Sequence, residues 1–170
     1  MMKRPWLCAL VFLLGLACDR HNTTAPPTPA QSPQAAYESA IADAIFADST
    51  EICHRLVAIR PDRPGLIWSS DGSHVLVVTW TKYPASFPAT DTVLTSWGDL
   101  WVTSCPEMAE SLKSEGVSST NFVRRVEEML GLPPNKGYTH FAALWVRPAD
   151  LFRPAYNPDI ADTACGLSSC

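Results

Sequence analysis

The chain of 170 residues lacks the common signatures of catalysis: it contains no GxSxG, HExxH, Walker or Rossmann glycine pattern. The usual sequence signs of serine hydrolases, zinc peptidases, nucleotide hydrolases and dinucleotide enzymes are therefore missing. Its six cysteines include no Cys-x-x-Cys spacing, and none of its four histidines stands at ligand spacing from another, so no metal and no cofactor is expected. Basic side chains are also scarce. Thirteen Lys and Arg face 17 Asp and Glu, and beyond the first four residues only Arg124 and Arg125 adjoin. Nucleic-acid binding requires a basic footprint that this chain does not have. No apolar run approaches the roughly 20 residues of a membrane-spanning helix, and no segment repeats.

What the chain does have begins at its start. Lys3 and Arg4 precede an almost unbroken apolar run of about eleven residues, 6–16, and Gly15, Leu16 and Ala17 lead into Cys18. A short basic start, a short apolar core and small residues before a cleavage point form an export signal. The end of this signal resembles the lipobox of bacterial lipoprotein precursors. It departs from the pattern in one respect: Gly15 stands where Leu is preferred, with Leu14 one position further back. The resemblance implies that residues 1–17 are removed, that Cys18 is lipidated, and that the lipid holds the protein to a membrane. Gly15 and Ala17 also satisfy the rule for ordinary secretory cleavage, so plain secretion is the alternative. Residues 18–36 carry Pro26, Pro27, Pro29 and Pro33 among Thr and Gln, too little apolar surface to fold, and read as a stiff tether behind the lipid. Loss of Lys3 and Arg4 leaves 11 basic and 17 acidic residues, a net charge of −6.

The remaining residues, 37–170, make one domain of ordinary size. A helix is expected over 34–48 from the spacing of Tyr37, Ile41, Ala44 and Ile45. Residues 52–59 read as a strand or a second helical stretch. Asp71-Gly72 lies between the β-rich runs 66–68 and 75–80 and predicts a type I′ hairpin. The second run is apolar on both faces and predicts a central strand. Residues 83–97 form a long loop with a short edge strand at 92–96. Further strands are expected at 100–103 and 139–146, the latter apolar on both faces. Helices are expected from Ser104, whose spacing to Glu107 fits a capping box, and over 120–130, where Phe122, Val123, Val126, Met129 and Leu130 form one stripe. Helix, hairpin, strand, two helices and strand give an α+β fold, a small, mostly antiparallel sheet with helices packed on it. The tail 147–170 should wrap the domain. Residues 68–74 resemble a blade repeat of TolB-type propellers, but the string occurs once and a propeller needs several.

Several residue strings, 130–135, 144–148, 150–154 and 158–162, resemble an uncharacterised set of bacterial proteins, with a likeness running from about Leu66 to Leu167. That resemblance implies an intact domain and assigns no activity.

Four cysteines fall in the domain: Cys53, Cys105, Cys165 and Cys170. An even number in an exported chain predicts disulfides, of which three pairings exist. A local Cys165–Cys170 link with Cys53–Cys105 is the favoured one. Cys105 opens a helix, where a thiol can be activated, and His140 or His74 could assist it. His54 completes the histidines of the domain. Asp150, Asn157, Asp159 and Asp162 supply oxygen ligands without a calcium-loop spacing. Glu127 and Glu128 adjoin on a helix and read as a solvated face, as do Arg124 and Arg125. Five tryptophans follow the signal, at 68, 80, 97, 101 and 145. Burial is the default for them. Tyr83, Trp97 and Trp101, on or beside the long loop, are instead candidates for a binding face. The expectation is an exported cell-envelope lipoprotein acting as a binding or interaction module, with another envelope protein or a glycan as partner. The alternative is a small exported hydrolase using Cys105 or a His/Asp pair.

Overall fold

A computed structural model describes residues 9–11, 31–46, 49–89, 92–93, 95–96 and 98–166. Cys18, Trp97 and Cys170 lie outside the described residues, as does most of the stretch 1–36. The elements are β1 (Ala9–Val11), α1 (Pro33–Asp43), β2 (Val75–Thr81), β3 (Leu100–Ser104), α2 (Cys105–Ser114), α3 (Phe122–Met129), β4 (His140–Val146) and β5 (Leu151–Phe152). The fold is α+β, built on one sheet in the order β4-β2-β3-β1-β5. Strands β4, β2 and β3 pair antiparallel, and β1 pairs parallel to both β3 and β5.

Strand β2 is central, as its apolar sequence requires, and all but one of its residues are buried. It holds β4 through seven registered pairs, from Val75↔Val146 to Thr81↔His140. Its ladder with β3 has two, Val77↔Ser104 and Val78↔Thr103. Side chains alternate across a sheet, so Val75 and Val77 share one face with Val102 and Val146. Ile59 and Leu151 close over them to form the hydrophobic core. The opposite face carries Val78, Trp80, Trp101, Thr103, Phe141 and Trp145. Helix α3 lays Phe122 edge-on against Trp80 and Phe141 there.

Several expectations are corrected. The Asp71-Gly72 turn is not type I′, because only Gly72 has positive φ. Ser69 O instead accepts from Gly72 N (2.8 Å), and the first arm pairs through the single bridge Trp68↔Val75. Ser69 Oγ (2.5 Å), Ser73 Oγ (2.7 Å) and Ser73 N (3.1 Å) all donate to the Asp71 carboxylate. Those bonds, the Ser69 hydroxyl first, hold its pKa far below the usual carboxyl range. Residues 92–96 form no strand among the described residues. Strand β4 sits at the sheet edge, leaving Phe141 and Trp145 partly exposed rather than covered. Helix α1 is capped by Ser32, whose Oγ accepts from Ala35 N (3.2 Å), but it buries nothing, so Ile41 stays exposed.

Residues 52–59 form neither helix nor sheet strand and run beside the tail. Leu56 N donates to Thr163 O (2.9 Å), Ile59 N to Ile160 O (2.9 Å) and Cys165 N to Cys53 O (3.2 Å). Buried Arg153 ties these segments together, donating to Val57 O (2.9 Å), Asp159 O (3.0 Å) and Ile160 O (3.1 Å). Its burial lowers its pKa, with Asp162 and Asp159 opposing. Cys53, Cys105 and Cys165 are unbonded thiols.

Candidate functional site

Beyond Val78 and Thr103 the β2–β3 ladder stops, although both strands continue to Thr81 and back to Leu100. A cavity of about 660 Å³ opens along this divergence. Its lining takes Val78, Trp80, Trp101, Thr103 and Phe141 from the aromatic sheet face. Tyr83, Ser86 and Phe87 come from the turn after β2, Leu130, Gly131 and Leu132 from the end of α3, and Tyr138 from the approach to β4. Thr79, Thr81 and Asp99 contribute polar edges. Helix α3 stops at this point because Gly131 adopts positive φ (62°), and Leu132 N returns to Glu127 O (2.8 Å). The loop that follows is thereby turned over the sheet.

Trp80 and Phe141 stand 4.6 Å apart between ring centroids. Trp101 and Tyr83 are 51% and 63% exposed, so both reach the outer side of the cavity. The ammonium of Lys82 sits 5.3 Å from the Tyr83 ring and 5.6 Å from the Tyr138 ring, fixing the two tyrosines about one cation. Two buried polar atoms of the lining residues, Trp80 Nε1 and Thr103 Oγ1, have no partner among the described residues. Tyr83 and Trp101, picked out in the sequence, thus meet in one cavity. Sequence reasoning missed Trp80, Thr103, Tyr138 and Phe141. The strand alternation that places Trp80, Trp101 and Phe141 on one face was readable, but the register between strands was not.

The other candidate residues separate. His74 and His140 line a neighbouring groove of about 1280 Å³ along β4, which shares Phe87 and Phe141 with the cavity. His140 Nδ1 bonds Thr139 Oγ1 (2.8 Å). His74 Nδ1 meets Ser73 Oγ (2.6 Å), which also reaches Asp71 (2.7 Å). This places serine between acid and histidine, whereas nucleophilic catalysis needs histidine in the middle. His54 lines a third cavity of about 650 Å³ with Arg63, Ser104, Glu107 and Glu110. Ser104 Oγ donates to Glu107 Oε2 (2.9 Å) rather than the hydroxyl capping the backbone. Burial raises the Glu107 pKa, against the Ser104 bond and the charge of Arg153. Cys105, one residue from this wall, lines none of the three cavities.

The acidic tail residues are occupied by turns and ion pairing. Asp150 accepts from Arg147 (2.7 and 3.0 Å), Asn157 Nδ2 donates to Asp162 (2.8 Å), and Asp159 accepts from Ala161 N (2.8 Å). No metal-holding group of three or more ligand residues occurs among the described residues. Glu127 is buried rather than solvated, and its Oε2 accepts from Asn135 N (3.2 Å). Arg125 is likewise engaged, bridging Glu115 and Glu128. No described helix is long and apolar enough to cross a membrane. No family model matches the chain, and neither a curated protein nor a solved structure matches it.

Proposed function

We propose that this chain is an exported lipoprotein of the cell envelope, held to a membrane through lipidated Cys18, and that its domain acts as a binding module through the aromatic cavity. One observation carries the binding reading: the half-exposed rings of Trp101 and Tyr83 meet at the opening of a cavity of about 660 Å³. That volume lies within the roughly 300–1,000 Å³ of small-molecule sites, which are likewise mostly apolar with a few placed polar groups. The address alone suggests another envelope protein or a glycan as partner, and the largely apolar lining favours a small apolar ligand over either. The hydrolase alternative receives less support, because Cys105 lines no cavity with His74, His140 or His54.

Two experiments test the halves separately. Cys18→Ser should release the protein from membranes and abolish lipid labelling, and unchanged fractionation refutes the tether. Ligand-observed NMR of the purified protein with panels of oligosaccharides, peptides and small aromatic molecules should find saturable binding that Trp101→Ala weakens at least tenfold. Absence of binding, or binding indifferent to Trp101, refutes the cavity as the site.

A further inference from the structure

Resting on the binding reading above, we infer that the cavity takes a small, uncharged, planar and largely apolar molecule carrying a carbonyl-type hydrogen-bond acceptor. The acceptor follows from Trp80 Nε1 and Thr103 Oγ1. Both residues are more than nine-tenths buried, both line the cavity, and neither atom has a partner among the described residues. Alternation and register put both side chains on one sheet face: Thr103 pairs with Val78, and Trp80 pairs with Phe141. A buried polar group without a partner is costly. The indole N–H can only donate, and the hydroxyl can donate or accept. Both atoms are themselves closed off, so a ligand oxygen reaches them as the Trp80 or Thr103 side chain turns toward the cavity, and with two lone pairs it would then satisfy either or both.

The planar apolar body follows from the rest of the lining. Trp101, Tyr83, Tyr138 and Phe141 present rings, and Leu130 and Leu132 present aliphatic surface. The charged groups argue for a neutral ligand. Asp99 is the only carboxylate in the lining among the described residues, and the nearby Lys82 ammonium is already set against Tyr83 and Tyr138. A glycan would bring many hydroxyls to a wall with few polar partners.

The test compares two neutral probes of one shape, 2-acetylnaphthalene and 2-ethylnaphthalene, against the full purified protein. The ketone should bind roughly tenfold more tightly, the usual order for one hydrogen bond to a buried donor. Thr103→Val keeps the side-chain shape and removes the hydroxyl, while Trp80→Phe removes the N–H. At least one should cut the ketone-over-ethyl preference below about threefold, and a preference that survives both substitutions overturns the inference. Equal affinity for the two probes overturns the inference while leaving the binding reading intact. Trp101-dependent binding of oligosaccharides or peptides in place of either naphthalene does the same. If nothing binds, the binding reading itself fails.

A separate observation supports a second inference: Cys53 and Cys165 are disulfide partners. Leu56 N to Thr163 O, Ile59 N to Ile160 O and Cys165 N to Cys53 O (3.2 Å) run the two segments past each other in opposite directions, and the last of these bonds joins the backbones of the two cysteines directly. Residues joined by such a cross-segment backbone bond have Cα atoms roughly 5.5 Å apart, inside the roughly 4.4–6.8 Å that a disulfide spans. Both cysteines are half-buried thiols here. Oxidation would proceed by exchange with the disulfide of an exported thiol oxidase. One cysteine thiolate attacks that disulfide, the second displaces the mixed disulfide, and two electrons and two protons leave with the oxidase as a dithiol. Cys105 and Cys170 then remain as the other pair, in place of the local Cys165–Cys170 link. Non-reducing proteolysis and mass spectrometry of protein exported to an oxidising compartment should recover a Cys53–Cys165 cross-linked peptide. Cys53→Ser should leave Cys165 open to thiol labelling. Recovery of Cys53–Cys105, of Cys165–Cys170, or of free Cys53 overturns the assignment.

Discussion

The two faces of the sheet solve the same packing problem with different side chains. On one face Val75, Val77, Val102 and Val146, joined by Ile59 and Leu151, close almost completely. β-Branched side chains are stiff and fit neighbours on a pleated surface. On the other face Trp80, Trp101, Phe141 and Trp145 bring large plates that meet edge-on or tilted, as Trp80 does with Phe122 and Phe141. Plates of fixed shape at such angles leave space between them, and the cavity is there. One face therefore supplies cohesion, and the other supplies an opening in a wall that still holds its shape.

The largest effect expected is at the closed face. Val77 is fully buried, and Val77→Asp places an unpaired charge in the core. It should cost more than about 4 kcal/mol, read as loss of the cooperative unfolding transition in denaturant. Next comes the clasp joining that face to the tail. Arg153→Ala takes the side-chain donor from the carbonyls of Val57 and Asp159, while Ile160 O keeps its bond from Ile59 N, and should cost about 2 kcal/mol. Hydrogen exchange at Leu56 and Ile59, which bond the tail, should accelerate more than exchange along β2 and β4. Uniform acceleration would show that the tail is no separate unit.

The open face should behave in reverse. Trp101→Ala removes a half-exposed ring and should cost no more than about 1 kcal/mol while weakening probe binding at least tenfold. A large stability loss with binding retained would collapse the distinction between the faces. The smallest effect expected is a pH dependence. Burial raises the folded-state pKa of Glu107, so the folded protein favours the protonated carboxyl more than the unfolded chain does. The associated stability is present below the ordinary carboxyl pKa and is lost as pH rises through the raised value. Glu107→Gln should therefore raise Tm at pH 7 and change it little at pH 4. An equal change at both values would assign the effect to the Ser104 hydrogen bond instead.

Elements set by local rules were legible in the sequence. Gly131 stops α3, Pro106 falls in the first turn of α2, and the apolar run 75–80 becomes a central strand. Where a tertiary neighbour decides, the sequence was silent. Residues 52–59 pair with the tail more than a hundred positions away, and no local pattern encodes that distance. Glu127 looks like its neighbour Glu128 but faces inward, because the loop after α3 returns Asn135 N to it. Of the site, Tyr83 and Trp101 were legible as aromatics beside a long loop. Trp80 was absorbed into the strand pattern, and the shortness of the β2–β3 ladder depends on a register that no single strand specifies.

Strand β1 gives the segment proposed as an export signal a second meaning. Ala9–Val11 lies inside the apolar run read as a signal, and it joins Leu100–Val102 on one side to Leu151–Phe152 on the other. Cutting the chain before Cys18 would thus remove more than a leader. It would withdraw the strand between β3 and β5 and uncover two rows of backbone donors and acceptors. Precursor and processed chain would then differ in architecture as well as in length. A peptidase cutting there would also set the moment at which the sheet must re-form its edge.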